Sequence, residues 1–163
     1  MKIKLVLILT LISVCTMAQN QPSTAPPVPM YGESITLENA RKILSAAEAF
    51  AKSKQWPVAI AIVDIGGNLV AFERIDNTQV ASIDIAIAKA KTANNFKRTT
   101  KVLEDAVAGG GAGLRVLSIP GALPLEGGEP IYANGKIIGG IGVSGMQSGQ
   151  DAEVVKAGLA VVK

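Results

Sequence analysis

Apolar residues recur at helical spacing through Leu37, Ala40, Ile43, Leu44, Ala47, Phe50 and Ala51, which predicts a helix opening at a Thr36 cap. The period then changes. Val58–Asp64 (VAIAIVD) is short and dense in β-branched residues, the signature of a buried strand. Gly66-Gly67-Asn68 marks a turn and Leu69–Ile75 returns, so the two runs form an antiparallel hairpin. A second helix is predicted from about Val80 to Phe96, with Ile83, Ile87, Ala90, Ala93 and Asn94 on one stripe. Thr99 or Thr100 caps a shorter helix through Val107, which Gly109-Gly110-Gly111 stops.

After a loop containing Pro120, Gly121 and Pro124, Ile131-Tyr132-Ala133 leads into Asn134-Gly135, a strong hairpin turn. Lys136–Val143 is its return strand, and Gly149–Val162 reads as a closing helix. This order predicts an α+β fold, an antiparallel β-sheet flanked by helices.

The start of the chain follows a different pattern. Lys2 and Lys4 precede an unbroken apolar run from Leu5 to Val14, and Thr16-Met17-Ala18 places small residues where a signal peptidase reads. Residues 1–18 are therefore expected to be a signal peptide, residues 19–33 a flexible Pro-rich linker, and residues 34–163 the folded domain. The expected destination is the periplasm or the exterior. Cys15 lies inside the leader. An alternative reading makes it the lipid-bearing residue of a lipoprotein signal, but Val14 is bulky where that peptidase wants a small residue.

Composition then narrows the chemistry. The chain has no histidine, and Cys15 is its one cysteine, so Ser-His and Cys-His nucleophiles and common zinc sites are excluded from the domain. The formal charge of +3 includes Lys2 and Lys4, leaving +1 on the remainder, which gives no footing for nucleic acid or an anionic membrane.

Three groups of residues invite a chemical reading. Gly139–Gly145 reads as a strand that becomes glycine-rich just before the last helix, where exposed backbone N–H groups can hold an anion, although glycines there also suit close packing of a strand against a helix. The loop Leu123–Pro130 sets Gly127 and Gly128 between Glu126 and Glu129. The third is the polar set Asp64, Glu73, Arg74, Asp76, Ser82, Asp84, Lys89 and Lys91, within which Arg74 with Asp76 or Asp84 is read as an ordinary ion pair.

Three blocks taken together, VAIAIVDIGGNLVAFERID, ASIDIAIAKAKTANNF and LPLEGGEPIYANGKIIGGIGVSGMQSGQDAEVVKAGL, resemble the GlcG/HbpS-like family, which includes the C-terminal domain of PduO-type proteins. The resemblance runs from about Thr36 to the C-terminus. It implies a profilin-like sheet flanked by helices, usually assembled as a homo-oligomer, and a role in binding haem or a related tetrapyrrole. It also places Arg74, Asp84, Lys89, Gly128, Gly142, Ser144 and Gly145 on family motif positions, and these form the expected ligand-binding set.

Asn68 departs from the family, many of whose members have histidine in this turn. Haem would need another axial group, such as a threonine hydroxyl, Lys89, Lys91, Tyr132 or Met146. The identity of any metal stays open. Two alternatives stand beside haem binding: an enzyme or accessory acting on a small organic acid through Arg74, Asp84 and Lys89, and an oligomeric domain without a ligand.

Overall fold

A computed structural model describes residues 27–162. The expected signal peptide and the first part of the proline-rich stretch lie outside them. The elements are α1 (Leu37–Ser53), β1 (Ala59–Asp64), β2 (Leu69–Arg74), α2 (Ser82–Phe96), α3 (Thr100–Ala108), a 3-10 helix (Gly111–Ser118), β3 (Gly128–Ala133), β4 (Lys136–Ser144) and α4 (Ser148–Leu159). Thr36 caps α1 as expected, its side chain accepting from the Asn39 N–H at 3.2 Å.

The four strands form one antiparallel sheet in the order β2-β1-β4-β3. Each hairpin thus contributes one central and one edge strand, and the β1–β4 ladder joins them. Because side chains alternate along a strand, the central strands present two different faces. Ile60, Ile62, Ile141 and Val143 join Ile43, Leu44, Val154 and Val155 in the larger core, where α1 and α4 cover the sheet. Burying each such Ile or Val contributes about 1.5–3 kcal/mol, so this face supplies most of the hydrophobic drive.

The opposite face is built from small residues. Ala59, Ala61 and Val63 of β1 meet Ala86 and Ala90 of α2. The cross-strand row Phe72, Ala61, Gly142, Gly128 shrinks from an aromatic ring to no side chain. At its glycine end α2 rests on the sheet backbone: a Cβ on Gly142 would lie 2.1 Å from the Ala86 carbonyl oxygen, and one on Gly140 2.4 Å from that of Ala90. At its other end Phe72, like Ile87 of α2, packs partly buried against this cluster. Stability on this side comes from close dispersion contact rather than buried area.

Three segments differ from expectation. Gly128-Glu129-Pro130, read as loop, begins β3; proline is tolerated because β3 is an edge strand. The glycine-rich stretch after α3 winds into the 3-10 helix, with Gly113 so close to α3 that a Cβ would lie 1.8 Å from the Ala106 carbonyl oxygen. The end of the Pro-rich stretch is docked rather than free. Ile137 donates to the Met30 carbonyl at 2.9 Å and accepts from the Gly32 N–H at 2.8 Å.

Candidate functional site

α2 presents Ser82, Ala86, Lys89, Ala90 and Ala93 toward the sheet. Lys89 is the one charged member, and it is 2% exposed. Its Nζ donates to Asp151 Oδ2 at 2.8 Å and to the Val143 carbonyl at 2.9 Å. Asp151, also 2% exposed, sits in the first turn of α4 and accepts the Met146 N–H at 3.0 Å through Oδ1. Burial pushes the Asp151 carboxyl above its ordinary range, against the lowering pull of Lys89 and of the Met146 N–H.

Gly127 seals this pair. Its φ of +113 lies where L side chains are strained, and its Cα is pressed against the ions: a Cβ would lie 2.9 Å from Lys89 Nζ and 2.8 Å from Asp151 Cβ. Gly128 follows, its N–H donating to Thr100 Oγ1 at 2.9 Å and its Cα facing the Lys89 carbonyl. Together these contacts tie α2, β4, α4 and the loop before β3 at one point.

The remaining expected ligand-binding residues are spread around this point. Ser144 Oγ donates to Ser82 Oγ at 3.3 Å, and Ser144 shares a cross-strand row with Ala59 and Arg74. Arg74 and Asp84 are exposed, and neither forms an ion pair among the described residues. Gly142 lies beneath α2, and Gly145, at φ +156, packs its Cα near the Pro57 carbonyl oxygen. The structure therefore gathers Lys89, Gly128, Gly142 and Ser144 around the seat of α2, while Arg74 and Asp84 face solvent. The partner of Lys89 was not legible in the sequence, because Asp151 lies 62 residues away with no motif joining them.

The proposed axial groups divide sharply. Lys89 is held in its buried pair and Lys91 is exposed on α2. Met146 is half-buried against the larger core. Tyr132 alone among the named lysines, tyrosine and methionine lines a groove of about 310 Å3, shared with the apolar Val102, Pro130, Leu159 and Val162 and with Arg98, Thr99 and Glu129. Another groove, of about 780 Å3, runs along α1 beside Leu37, Arg41 and Val161, remote from the buried pair. At the β1–β2 turn Asn68 donates from its backbone N–H to Asp64 Oδ1 at 2.8 Å, closing the turn without a metal-binding imidazole. Among the described residues no cluster of acids gathers to hold a metal ion, and no helix is long and apolar enough to cross a membrane.

A four-stranded antiparallel sheet with α1 and α4 on one face and α2 on the other defines an α+β sandwich with a glycine-seated helix. The chain belongs to the family described as Haem degrading protein HbpS-like, whose model matches residues 35–160. It is 38% identical over 110 residues to Protein GlcG of Escherichia coli K12, covering 68% of this chain and 81% of that one. A solved double mutant of HbpS from Streptomyces reticuli has 34% identity and a TM-score of 0.74, covering 87% of this chain and 99% of that one. A solved PduOC:Heme complex has 28% identity and a TM-score of 0.73, covering 80% and 96%.

Proposed function

We propose that this chain is an exported binding protein for haem or a related tetrapyrrole. The observation that carries the reading is its likeness, across most of the domain, to a solved structure described as a haem complex. Export rests on the Lys2 and Lys4 n-region, the Leu5–Val14 apolar run and the small residues at Thr16-Met17-Ala18.

The chain's own groups fit such a ligand in outline. Haem asks for an apolar slot, a lone pair for iron and a cation for its propionates. The groove between α3, β3 and the end of α4 supplies Val102, Pro130, Leu159 and Val162, the Tyr132 hydroxyl and Arg98, and it also carries Glu129, whose carboxyl burial pushes above its ordinary range. When bound, the haem supplies whatever redox chemistry the protein carries. The chain's part is to enclose one edge of the ring and hold its charge. The small-acid reading has less support, since Lys89 is committed to Asp151 while Arg74 and Asp84 stand exposed.

Purified protein titrated with hemin is expected to give a shifted, saturable Soret band at near one equivalent per subunit or per dimer. A titration no different from free hemin in buffer overturns the reading.

A further inference from the structure

We propose that Tyr132 is the iron ligand of this chain, presented in the α3–β3–α4 groove by a bulge in the edge strand. The inference rests on the haem reading and adds the residue and the place.

The ladder between β3 and β4 shifts register between Ile131 and Tyr132. Such a shift changes where a side chain is aimed, and bulges recur beside functional sites for this reason. The effect is visible in the pair it creates: Ile137 is fully buried, whereas its ladder partner Tyr132 is 40% exposed. The ring lines the groove beside β3, the edge strand of the sheet.

The chain has two tyrosines. Tyr31 is committed to the fold: its hydroxyl donates to the Asn94 carbonyl at 2.8 Å and its ring lies under Lys97 at 4.3 Å. Tyr132 has no such engagement among the described residues, and it shares its groove with Val102, itself 49% exposed. An aliphatic wall standing open beside an uncommitted phenol is the arrangement a planar apolar ligand with a metal centre fills.

The chemistry favours the phenol over its neighbours. A phenolate is an established haem ligand, whereas an ammonium has no lone pair to give. Thr99 offers a hydroxyl in the same groove, but an alcohol is a far poorer donor to ferric iron than a phenolate. On coordination the phenol O–H bond breaks, the oxygen keeps the electron pair for the ferric ion, and the proton leaves to solvent. Arg98, on the same wall, offers its guanidinium to a propionate.

The test compares ferric hemin binding by the full chain, Tyr132→Phe and Val102→Glu, with circular dichroism and thermal melts confirming the fold. The wild type is expected to show a phenolate-to-iron charge-transfer band and phenolate modes in resonance Raman. Tyr132→Phe abolishes both and weakens binding by about tenfold or more, since loss of even an outer-shell partner costs a metal site about 10–100-fold. Val102→Glu weakens binding while any residual complex keeps the phenolate signature. If the wild type binds hemin and Tyr132→Phe gives the same spectrum and affinity, this assignment is overturned and the haem reading stands. If the wild type binds no hemin, both fall together.

Discussion

Gly142→Ala is expected to destabilise the protein by about 3 kcal/mol or more, at the upper end of what overpacking a core costs. The added methyl would stand 2.1 Å from the Ala86 carbonyl oxygen and 2.5 Å from the Ala90 backbone nitrogen. Those neighbours are backbone atoms of one helix, so they cannot swing aside as a side chain would. α2 must lift, and lifting it also strains the contacts beneath Gly140 and Gly128. Against a typical total of about 5–15 kcal/mol, this is a large fraction. Gly149→Ala in the first turn of α4, with nothing within 4 Å of its built Cβ, is the control. It is expected to be neutral or to stabilise by up to about 1 kcal/mol. Urea denaturation midpoints measure both, and equal midpoints would show that α2 is not seated on these glycines.

Lys89→Met is the second large effect. It leaves Asp151 ionised in a buried site, and breaking a buried pair on one side costs about 3–5 kcal/mol. Burial already holds the Asp151 carboxyl above its ordinary range while Lys89 pulls against it. Without Lys89 the carboxyl moves further up. A carboxyl whose folded-state value lies above its unfolded one favours folding when protonated, so the loss is full above the folded-state value and shrinks as pH falls toward the unfolded one. The variant's deficit should therefore narrow on acidification. Lys89→Met combined with Asp151→Asn removes both charges and keeps an oxygen for the Met146 N–H, so it should recover much of the lost stability. A double variant no more stable than Lys89→Met alone would mean that the ion pair is not the source of the loss.

The fold was largely legible because its elements are written locally. The period change after Ala51, the Gly66-Gly67-Asn68 turn and Asn134-Gly135 each depend on neighbours in sequence. What was not legible depends on contact between distant segments. The 3-10 helix at Gly111–Ser118 forms where Gly113 can touch α3, and Gly128–Pro130 become strand because β4 lies alongside. Of the candidate site, residue types were readable but their grouping was not. The glycines near Gly142 carry both possible meanings in the sequence, and only the position of α2 above them shows the packing. Arg74 and Lys89 look alike as conspicuous polar residues, yet one is exposed and the other is locked to Asp151. Arg98 and Val102 carried no signal, since an arginine in the turn before a short helix and an exposed valine within it are ordinary until a groove joins them.

The tapering row from Phe72 to Gly128 divides the sheet mechanically. Where helix and sheet meet backbone to backbone there is no side chain to change rotamer, so that half is stiff and has little slack to take up a load. β2 is different: α2 does not cover it as it covers β1, β3 and β4, and its Phe72 is only partly buried. Amide exchange is expected to rank accordingly, with β1 and β4 opening only on global unfolding and β2 opening earlier. A deformation imposed on the domain would be absorbed at that compliant margin, leaving the Tyr132 edge, carried on the stiff half, in register.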